Sequence, residues 1–541
     1  MSKIRLLDCT LRDGGYVNDW EFGSNNLLSI YERLLDSNVD IVEIGFLDDR
    51  RPYDKNRSIM PDTKSAAYIW GSIKKRPDMV VGMIDYGTCS LTNLEPCQES
   101  FLDGIRVIFK KHFMQQAMEY CRQVKKLGYQ VFSQLVSITS YSDDELMQLI
   151  RLVNEVHPCA VSIVDTYGLL YPDKLLHYYN LLDQFVDEDI QIGFHAHNNL
   201  QLAYANVISF IEKNSRHDVV VDGTLYGMGK SAGNAPIELV AQYLNQRWGK
   251  EYRIEPMLEA VQESILPYYR ESPWGYQMMY YMSAINECHP NYVQQIGQSK
   301  DFSIAMTNQI LQQIQPSERK LLYAKEEAER VCREGHILLE DDAAAERLQV
   351  RLRGRSIFLV GPGKTISQQN DVIQEYMNQE QPIVITVNYI PKTVKSDFVF
   401  ITNSRRYLEM TEALHWWENL EIETIATTNV LCKNGIFDYV FKCEPLLEKG
   451  EAIADNSFLM LLKILSRIGI KKVTCAGFDG YSDKDENYLN PQMEYSFIRG
   501  QARHLNEHIR DIICSGSLGL QVDFLTYSHY MEQADCYSGA F

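Results

Sequence analysis

No stretch of the 541-residue chain is apolar over the ~18 residues that a membrane-spanning helix requires, so no membrane span is expected. Positive charge is also in short supply. Lys and Arg number 53 against 72 Asp and Glu, a formal net charge of −19, which argues against a nucleic-acid-binding surface or a polybasic membrane anchor. The twelve cysteines include no C-x-x-C pair, which removes the usual zinc-finger and disulfide-frame signatures. The start, Met1-Ser2-Lys3-Ile4-Arg5, runs into a strand without the apolar core of a signal peptide. These features together predict a cytoplasmic protein with reduced thiols. No G-x-G-x-x-G follows an early strand, which argues against an N-terminal dinucleotide-binding domain. Repeats and low-complexity tracts are missing as well.

Hydrophobic residues make up 45% of the chain, ample for large cores, and the length suggests two or three domains. Over the first three hundred residues, short apolar runs alternate with helical patterns such as 26–36, 114–126 and 143–156. Strands are predicted at Ile4–Asp8, Ile41–Phe46, Val80–Asp85, Gly104–Phe109, Gln130–Leu135, Ala160–Asp165, Gln191–Ala196 and Val219–Thr224. Runs this apolar are buried on both faces, as in a parallel sheet. Eight βα units in about 250 residues predict a (β/α)8 TIM barrel over residues 1–300. Chemistry in such barrels sits at the C-terminal ends of the strands. Those ends carry Asp13, Glu43, Asp85, Arg106, Gln134, Asp165 with Thr166, His195 with His197, and Asp222. A charged helical connector is predicted over 301–353. A second α/β domain, an open parallel sheet, is predicted over 354–541, with strands near 356–360, 382–387, 397–402, 421–427 and 472–477.

Two motifs carry the chemistry. In Gly193-Phe194-His195-Ala196-His197-Asn198-Asn199, residues two apart on an extended strand face the same side, so both imidazoles can converge on one ion. Two histidines hydrogen-bonded at a strand end are the alternative. In Leu6-Leu7-Asp8-Cys9-Thr10-Leu11-Arg12-Asp13-Gly14-Gly15, a strand breaks into a Gly-Gly loop with Arg12 and Asp13 at its exit. One carboxylate with two imidazoles suits Mg, Mn, Co or Zn, and a nearby guanidinium can neutralise an oxyanion. A surface ion pair is the plainer reading of Arg12 and Asp13.

The set Thr10-Leu11-Arg12-Asp13-Gly14, Val42-Glu43-Ile44-Gly45, His195-Ala196-His197-Asn198-Asn199 and Asp222-Gly223-Thr224…Gly227-Met228-Gly229-Lys230-Ser231-Ala232-Gly233-Asn234-Ala235 resembles the metal-dependent aldolase, lyase and synthase superfamily. That superfamily includes 4-hydroxy-2-oxovalerate aldolase, hydroxymethylglutaryl-CoA lyase and isopropylmalate synthase, and its aldolase branch is the nearest in flavour. The resemblance implies a divalent metal held by Asp13, His195 and His197, with Asn234 completing or supporting the shell. It implies Arg12 as the group that stabilises an enolate and Glu43 as the residue that holds Arg12 or the metal water. The Gly-rich turn at Gly229 suits close approach to a substrate carboxylate, and Arg106, Gln134 and Thr166 are further expected substrate contacts. The implied reaction is cleavage or formation of a C–C bond in a 4-hydroxy-2-oxo acid through a pyruvate-type enolate.

Where the aldolases place a His after the Arg-Asp pair, this chain has Tyr16, which suits an acid or an orienting group unless its pKa is lowered. His289, in His289-Pro290-Asn291-Tyr292, is the expected replacement base, with a helix-end cap as its alternative. The loop cysteine of the lyases is absent from 226–234. Acyl-CoA-dependent Claisen chemistry remains an alternative.

In the second domain, Gly361-Pro362-Gly363-Lys364-Thr365 is not a P-loop, because the position that pattern reserves for its first Gly is Phe358. The turn either cradles a phosphate or is a tight strand–helix connection. Weak resemblance to sialyltransferase-like and pterin-pyrophosphokinase-like Rossmann domains implies a nucleotide or nucleotide-sugar site near Gly361, Gly363, Asn388 and Asn403. By analogy it implies a bifunctional role in sugar-acid or surface-polysaccharide assembly, or a transferase in which this domain is the active part. A homo-oligomer is the expected assembly.

Overall fold

A computed structural model describes residues 3–531, apart from 214, 315–319, 339–340, 414–421, 431–436, 449–452, 485–486, 495–497 and 499. The chain divides into two compact units: Met1–Gln294 with Ile314–Ala324, and Gln295–Gln313 with Lys325–Phe541. The segment 301–353 therefore does not stand apart as a connector. Its stretch 314–324 belongs with the first unit and the rest with the second. The charged stretch at Ser317–Arg319 lies outside the described residues, and a helix follows at Lys325–Leu338.

The first unit is a parallel barrel. Its strands are β1 (Ile4–Asp8), β2 (Ile41–Leu47), a two-residue β3 (Ile59–Met60) added to β2, β4 (Met79–Asp85), β5 (Gly104–Phe109), β6 (Gln130–Leu135), β7 (Ala160–Asp165), β8 (Gln191–Ala196) and β9 (Val219–Gly223). Strand β1 pairs with both β9 and β2, which closes the eight-stranded ring. Helices form where sequence periodicity and capping agree. Helix Asp143–Val156 starts on a capping box between Ser142 and Glu145 and buries Leu146, Leu149, Ile150 and Val153 on one face.

The period of two along each strand sorts the barrel interior into layers. Leu7, Ile41, Val81, Phe132, Ala160 and Val220 pack together as an apolar layer. Two residues further along the same strands stand Glu43, Gln134, Ser162 and Asp222, all buried. The apolar layer excludes water, and each large side chain fully buried there contributes roughly 1.5–3 kcal/mol. The polar layer sits at the C-terminal ends, where a barrel carries its chemistry.

The second unit is a seven-stranded parallel sheet. It comprises β10 (Ile357–Val360), β11 (Ile383–Val387), β12 (Phe398–Ile401), β13 (Glu423–Thr427), β14 (Tyr439–Phe441), β15 (Lys472–Ala476) and β16 (Gln521–Phe524), in the order β14-β13-β12-β11-β10-β15-β16. The chain leaves β10 on one side and returns on the other, so the switch point lies between β10 and β15. Helix Ser457–Arg467, capped by Asn456, buries Phe458, Leu461, Leu462 and Leu465. The ten described cysteines are free. Among the described residues no helix is long and apolar enough to cross a membrane.

One glycine holds the register beside the site. The pairing of β2 with β4 shifts between Glu43 and Phe46, and Gly45 within that bulge has φ of +147°. A Cβ at Gly45 would lie 1.7 Å from the Ser58 carbonyl oxygen. Gly45→Ala is expected to cost more than about 3 kcal/mol, since both strain and overlap oppose it. Urea unfolding of the full chain checks this, and an unchanged midpoint would contradict the close approach.

Candidate active site

Residues after β1 do not form an open Gly-Gly loop. The Asp8 carboxylate accepts the Thr10 N–H at 2.9 Å and the Thr10 hydroxyl at 2.7 Å, and a helical turn follows at Thr10–Asp13. That turn aims Arg12 and Asp13 into the barrel mouth. Their exposures of 3% and 1% overturn the surface ion-pair reading.

An ionic chain runs across the polar layer. Arg12 Nε donates to Glu43 Oε2 at 2.7 Å, and Arg12 Nη1 contacts Asp13 Oδ2. Arg106 Nη1 lies 3.1 Å from the same Glu43 oxygen, and Arg106 Nη2 contacts Asp222 Oδ2 and donates to Gln134 Oε1 at 3.1 Å. Gln134 Nε2 then donates to the Ser162 hydroxyl at 3.0 Å. Arg106, expected as a substrate contact, is instead a buried strut beneath the cavity, with 1% exposure.

At the end of the chain Asp222 Oδ2 lies 3.0 Å from His195 Nδ1. This hydrogen bond sets the neutral tautomer with hydrogen on Nδ1 and leaves a lone pair on Nε2. His195 Nε2 faces Asp13 Oδ2 at 3.5 Å, and His197 Nε2 faces the same oxygen at 3.9 Å. One ligand atom from each of Asp13, His195 and His197 falls within 4.8 Å of the others. Burial alone would raise the Asp13 carboxyl, but Arg12 and the two imidazoles outweigh it and hold it well below the usual carboxylate range. Burial pushes His197 down to about 3, so it is neutral and able to ligate. Burial also opposes a charge on His195, yet the hydrogen bonds to Asp13 and Asp222 raise its pKa, an attraction for positive charge that a cation on Nε2 would answer in place of a second ring proton.

The loop after β9 completes the group. Asn198 N–H donates to the Gly233 carbonyl at 2.9 Å, and His197 bridges to Asn234. Asn234 Nδ2 donates to Asp13 Oδ1 at 3.0 Å, while its own Oδ1 is buried without a partner. Gly229 makes the approach possible, because a Cβ there would meet Asn234 Nδ2 at 2.1 Å and Asp13 Oδ1 at 2.7 Å. Gly229 thus makes room for Asn234 to reach Asp13 and does not line the cavity. The buried carboxylates Asp13, Glu43 and Asp222 outnumber the buried guanidiniums Arg12 and Arg106 by one. An orphaned amide oxygen, two facing acceptors and an excess negative charge together fit a divalent cation.

A cavity of about 290 Å³ opens onto this set. Arg12, Asp13, Tyr16, Gln134, Thr166, His195, His197 and His289 line it, whereas Glu43, Arg106, Gly229 and Asn234 lie behind. Thr166 Oγ1 accepts the Ser137 N–H at 2.8 Å. Crowding around the Tyr16 hydroxyl and the adjacent Asp13 raise the phenol above its ordinary value, so Tyr16 keeps its proton. His289 precedes helix Pro290–Ile296 and caps it, its Nδ1 accepting the Asn291 N–H at 3.1 Å. That contact puts the hydrogen of the neutral ring on Nε2, and burial with Lys230 and Lys110 pushes the imidazole down to about 3. His289 is thereby a donor and a poor base, contrary to its expected role. Sequence reasoning missed Lys110, Tyr167 and Lys230 on the cavity wall. Lys230 stands within the Gly-Met-Gly-Lys motif, and Lys110 directly follows β5.

The second unit has its own cavity, of about 250 Å³, at the C-terminal ends of β10, β11, β12 and β15. Gly363, Asn388 and Asn403 line it, but Gly361 does not. The turn after β10 is no free phosphate cradle. Asp479 accepts the Thr365 N–H at 2.9 Å and contacts its hydroxyl, so a carboxylate of the chain already takes those donors. Asn388 is engaged as well, donating to Thr402 Oγ1 at 3.1 Å and to Ser457 Oγ at 2.7 Å.

Residues 3–262 match the family model described as HMGL-like. The match takes in all of the barrel strands. Among similar proteins, 4-hydroxy-2-oxovalerate aldolase of Marinomonas sp. is 24% identical over 245 residues, 45% of this chain and 71% of the relative. The 2-isopropylmalate synthase of Saccharolobus solfataricus is 26% identical over 257 residues, 47% of this chain and 65% of the relative. The HMG-CoA lyase structure from Brucella melitensis is 13% identical with a TM-score of 0.40, covering 50% of this chain and 100% of that one. All three matches fall short of the full chain.

His195→Ala is expected to abolish binding of the divalent ion, since it removes one of three donors and frees Asp222. Elemental analysis after gel filtration should find about one ion per wild-type chain and close to none in the variant. Retention at wild-type stoichiometry would rule out this donor set.

Proposed function

We propose that the HMGL-like barrel is a divalent-metal-dependent carbon–carbon lyase or aldolase. Its proposed substrate is a 4-hydroxy-2-oxo acid, cleaved or formed through a pyruvate-type enolate. The observation that carries this reading is the convergence of Asp13, His195 and His197 beside Arg12 at the mouth of the barrel. Relatives named 4-hydroxy-2-oxovalerate aldolase support it.

Asp13, His195 and His197 would hold the ion, with Asn234 Oδ1 as a further donor, and Mn, Mg, Co or Zn all suit such a set. A bound divalent ion supplies Lewis acidity toward the carbonyl of a 2-oxo acid. Arg12, steered by Glu43, presents its guanidinium to the cavity and stabilises the negative charge that develops on the oxo oxygen as the C–C bond breaks. Tyr16, which keeps its proton, donates a hydrogen bond to the hydroxyl or aldehyde oxygen. Asp85 is the cavity-lining carboxylate outside the donor set, and burial raises its pKa. It accepts the proton of the C4 hydroxyl in cleavage and returns it in condensation.

The test is pyruvate release from a panel of 4-hydroxy-2-oxo acids with Mn, Co, Mg or chelator. The wild type should release pyruvate only with metal, and Asp13→Ala should lose at least about 10²–10³-fold in rate. No release from any substrate with any metal would overturn the aldolase reading and turn attention to acyl-CoA chemistry.

A further inference from the structure

We propose that Lys110, Lys230 and His289 form a subsite for a second anionic group, so that the barrel's substrate carries a carboxylate or phosphate at the end remote from its 2-oxo acid. This inference rests on the function proposed above for the same cavity.

Three N–H donors gather on one wall. The Lys230 ammonium lies 5.5 Å from the centre of the Tyr16 ring and 5.7 Å from that of Tyr167, held over the cavity by both faces. His289 packs against the same Tyr167, ring centres 5.3 Å apart, and against Tyr323 at 5.7 Å. Its Nδ1 is occupied by the Asn291 N–H, so the neutral ring carries its hydrogen on Nε2. Lys110, the first residue after β5, lines the wall beside them.

Neither lysine has a carboxylate within ion-pairing distance among the described residues. Every other charged group of the cavity has been accounted for. Asp13 belongs to the metal set, and Arg12 is paired with Asp13 and Glu43. Asp85 is the remaining carboxylate that faces Lys110 and Lys230, one negative charge against two positive ones. The exposed Lys110 and the half-buried Lys230 repel each other across this wall, and an arriving anion relieves that repulsion while meeting donors already in place. A neutral aldehyde portion would leave a net positive charge on this wall unanswered. There is also room for a longer acid. A neighbouring cavity of about 640 Å³ shares Lys110 and Val136 with this one and adds Lys111 and Lys320 together with Glu145 and Glu287.

Calorimetry on the full-length, Mg-loaded protein tests the subsite apart from turnover. Succinate, inorganic phosphate and the monoanion butyrate serve as probes, with Lys110→Gln, Lys230→Gln and the charge-keeping Lys230→Arg. At least one dianionic probe is expected to bind wild type at least about tenfold more tightly than butyrate does. Either Gln variant should abolish that preference, and Lys230→Arg should retain most of it. Whether succinate or phosphate is favoured identifies the second group as carboxylate or phosphate. Equal binding of dianions and butyrate, or a preference that survives both Gln variants, would overturn the subsite. Lysine-dependent binding with no pyruvate release from any substrate would uphold the subsite while the aldolase reading fell.

Discussion

The barrel's chemistry depends on one buried ionic chain, Asp13–Arg12–Glu43–Arg106–Asp222–His195. Five ionised groups stand there out of water, and none is isolated. An unpaired charge at such depth would cost several kcal/mol, so each member holds the next in place. The chain is also unbalanced. Its three carboxylates and two guanidiniums leave one negative charge, and that charge lies where two imidazoles converge. The demand for a cation is thus built into the polar layer and does not depend on the ligand residues alone.

The same chain divides the work between residues that touch the cavity and residues that position them. Arg12, Asp13 and His195 have one side toward the cavity and one toward the chain. Glu43, Arg106 and Asp222 have no cavity face, and their effect reaches the site only through a neighbour. Asp222 chooses the His195 tautomer, and Glu43 chooses the direction of Arg12. The opposite wall, with Lys110, Lys230 and His289, has the reverse character. Its two ammoniums face a single carboxylate, Asp85, which leaves a positive charge for a ligand to answer. The second unit shows the contrast within one chain: its turn after β10 is already answered by Asp479.

Much of the barrel was legible because its physics is local. Runs such as Gly104–Phe109 and Ala160–Asp165 are apolar on both faces, and they appear as strands with the predicted bounds. The Ser142–Glu145 capping box and the apolar spacing behind it mark helix Asp143–Val156 from sequence alone. The alternation also placed polar residues at strand ends, so Asp13, His195 and His197 could be singled out before any geometry was known. Short elements escaped. Strand β3 has two residues and β14 three, too few to show a period.

Other assignments failed for a nonlocal reason. Arg106 stands at a strand end like its neighbours, but whether such a residue faces the ligand or the floor depends on partners 63 and 116 positions away, Glu43 and Asp222. His289 lies far along the chain from Tyr167, and its tautomer is set by a helix start that the sequence shows only as Pro290 and Asn291. Gly361 and Gly363 look like a phosphate cradle until Asp479, more than a hundred residues later, is found in it. Residue type and spacing by themselves determined the eight-unit barrel, the second parallel sheet and the three side chains that converge at the barrel mouth, because burial patterns and strand parity are properties of a short segment. Only the tertiary structure decided which polar groups are struts, which are donors and which remain unanswered, because hydrogen-bond partnership is settled in space between segments distant in the chain.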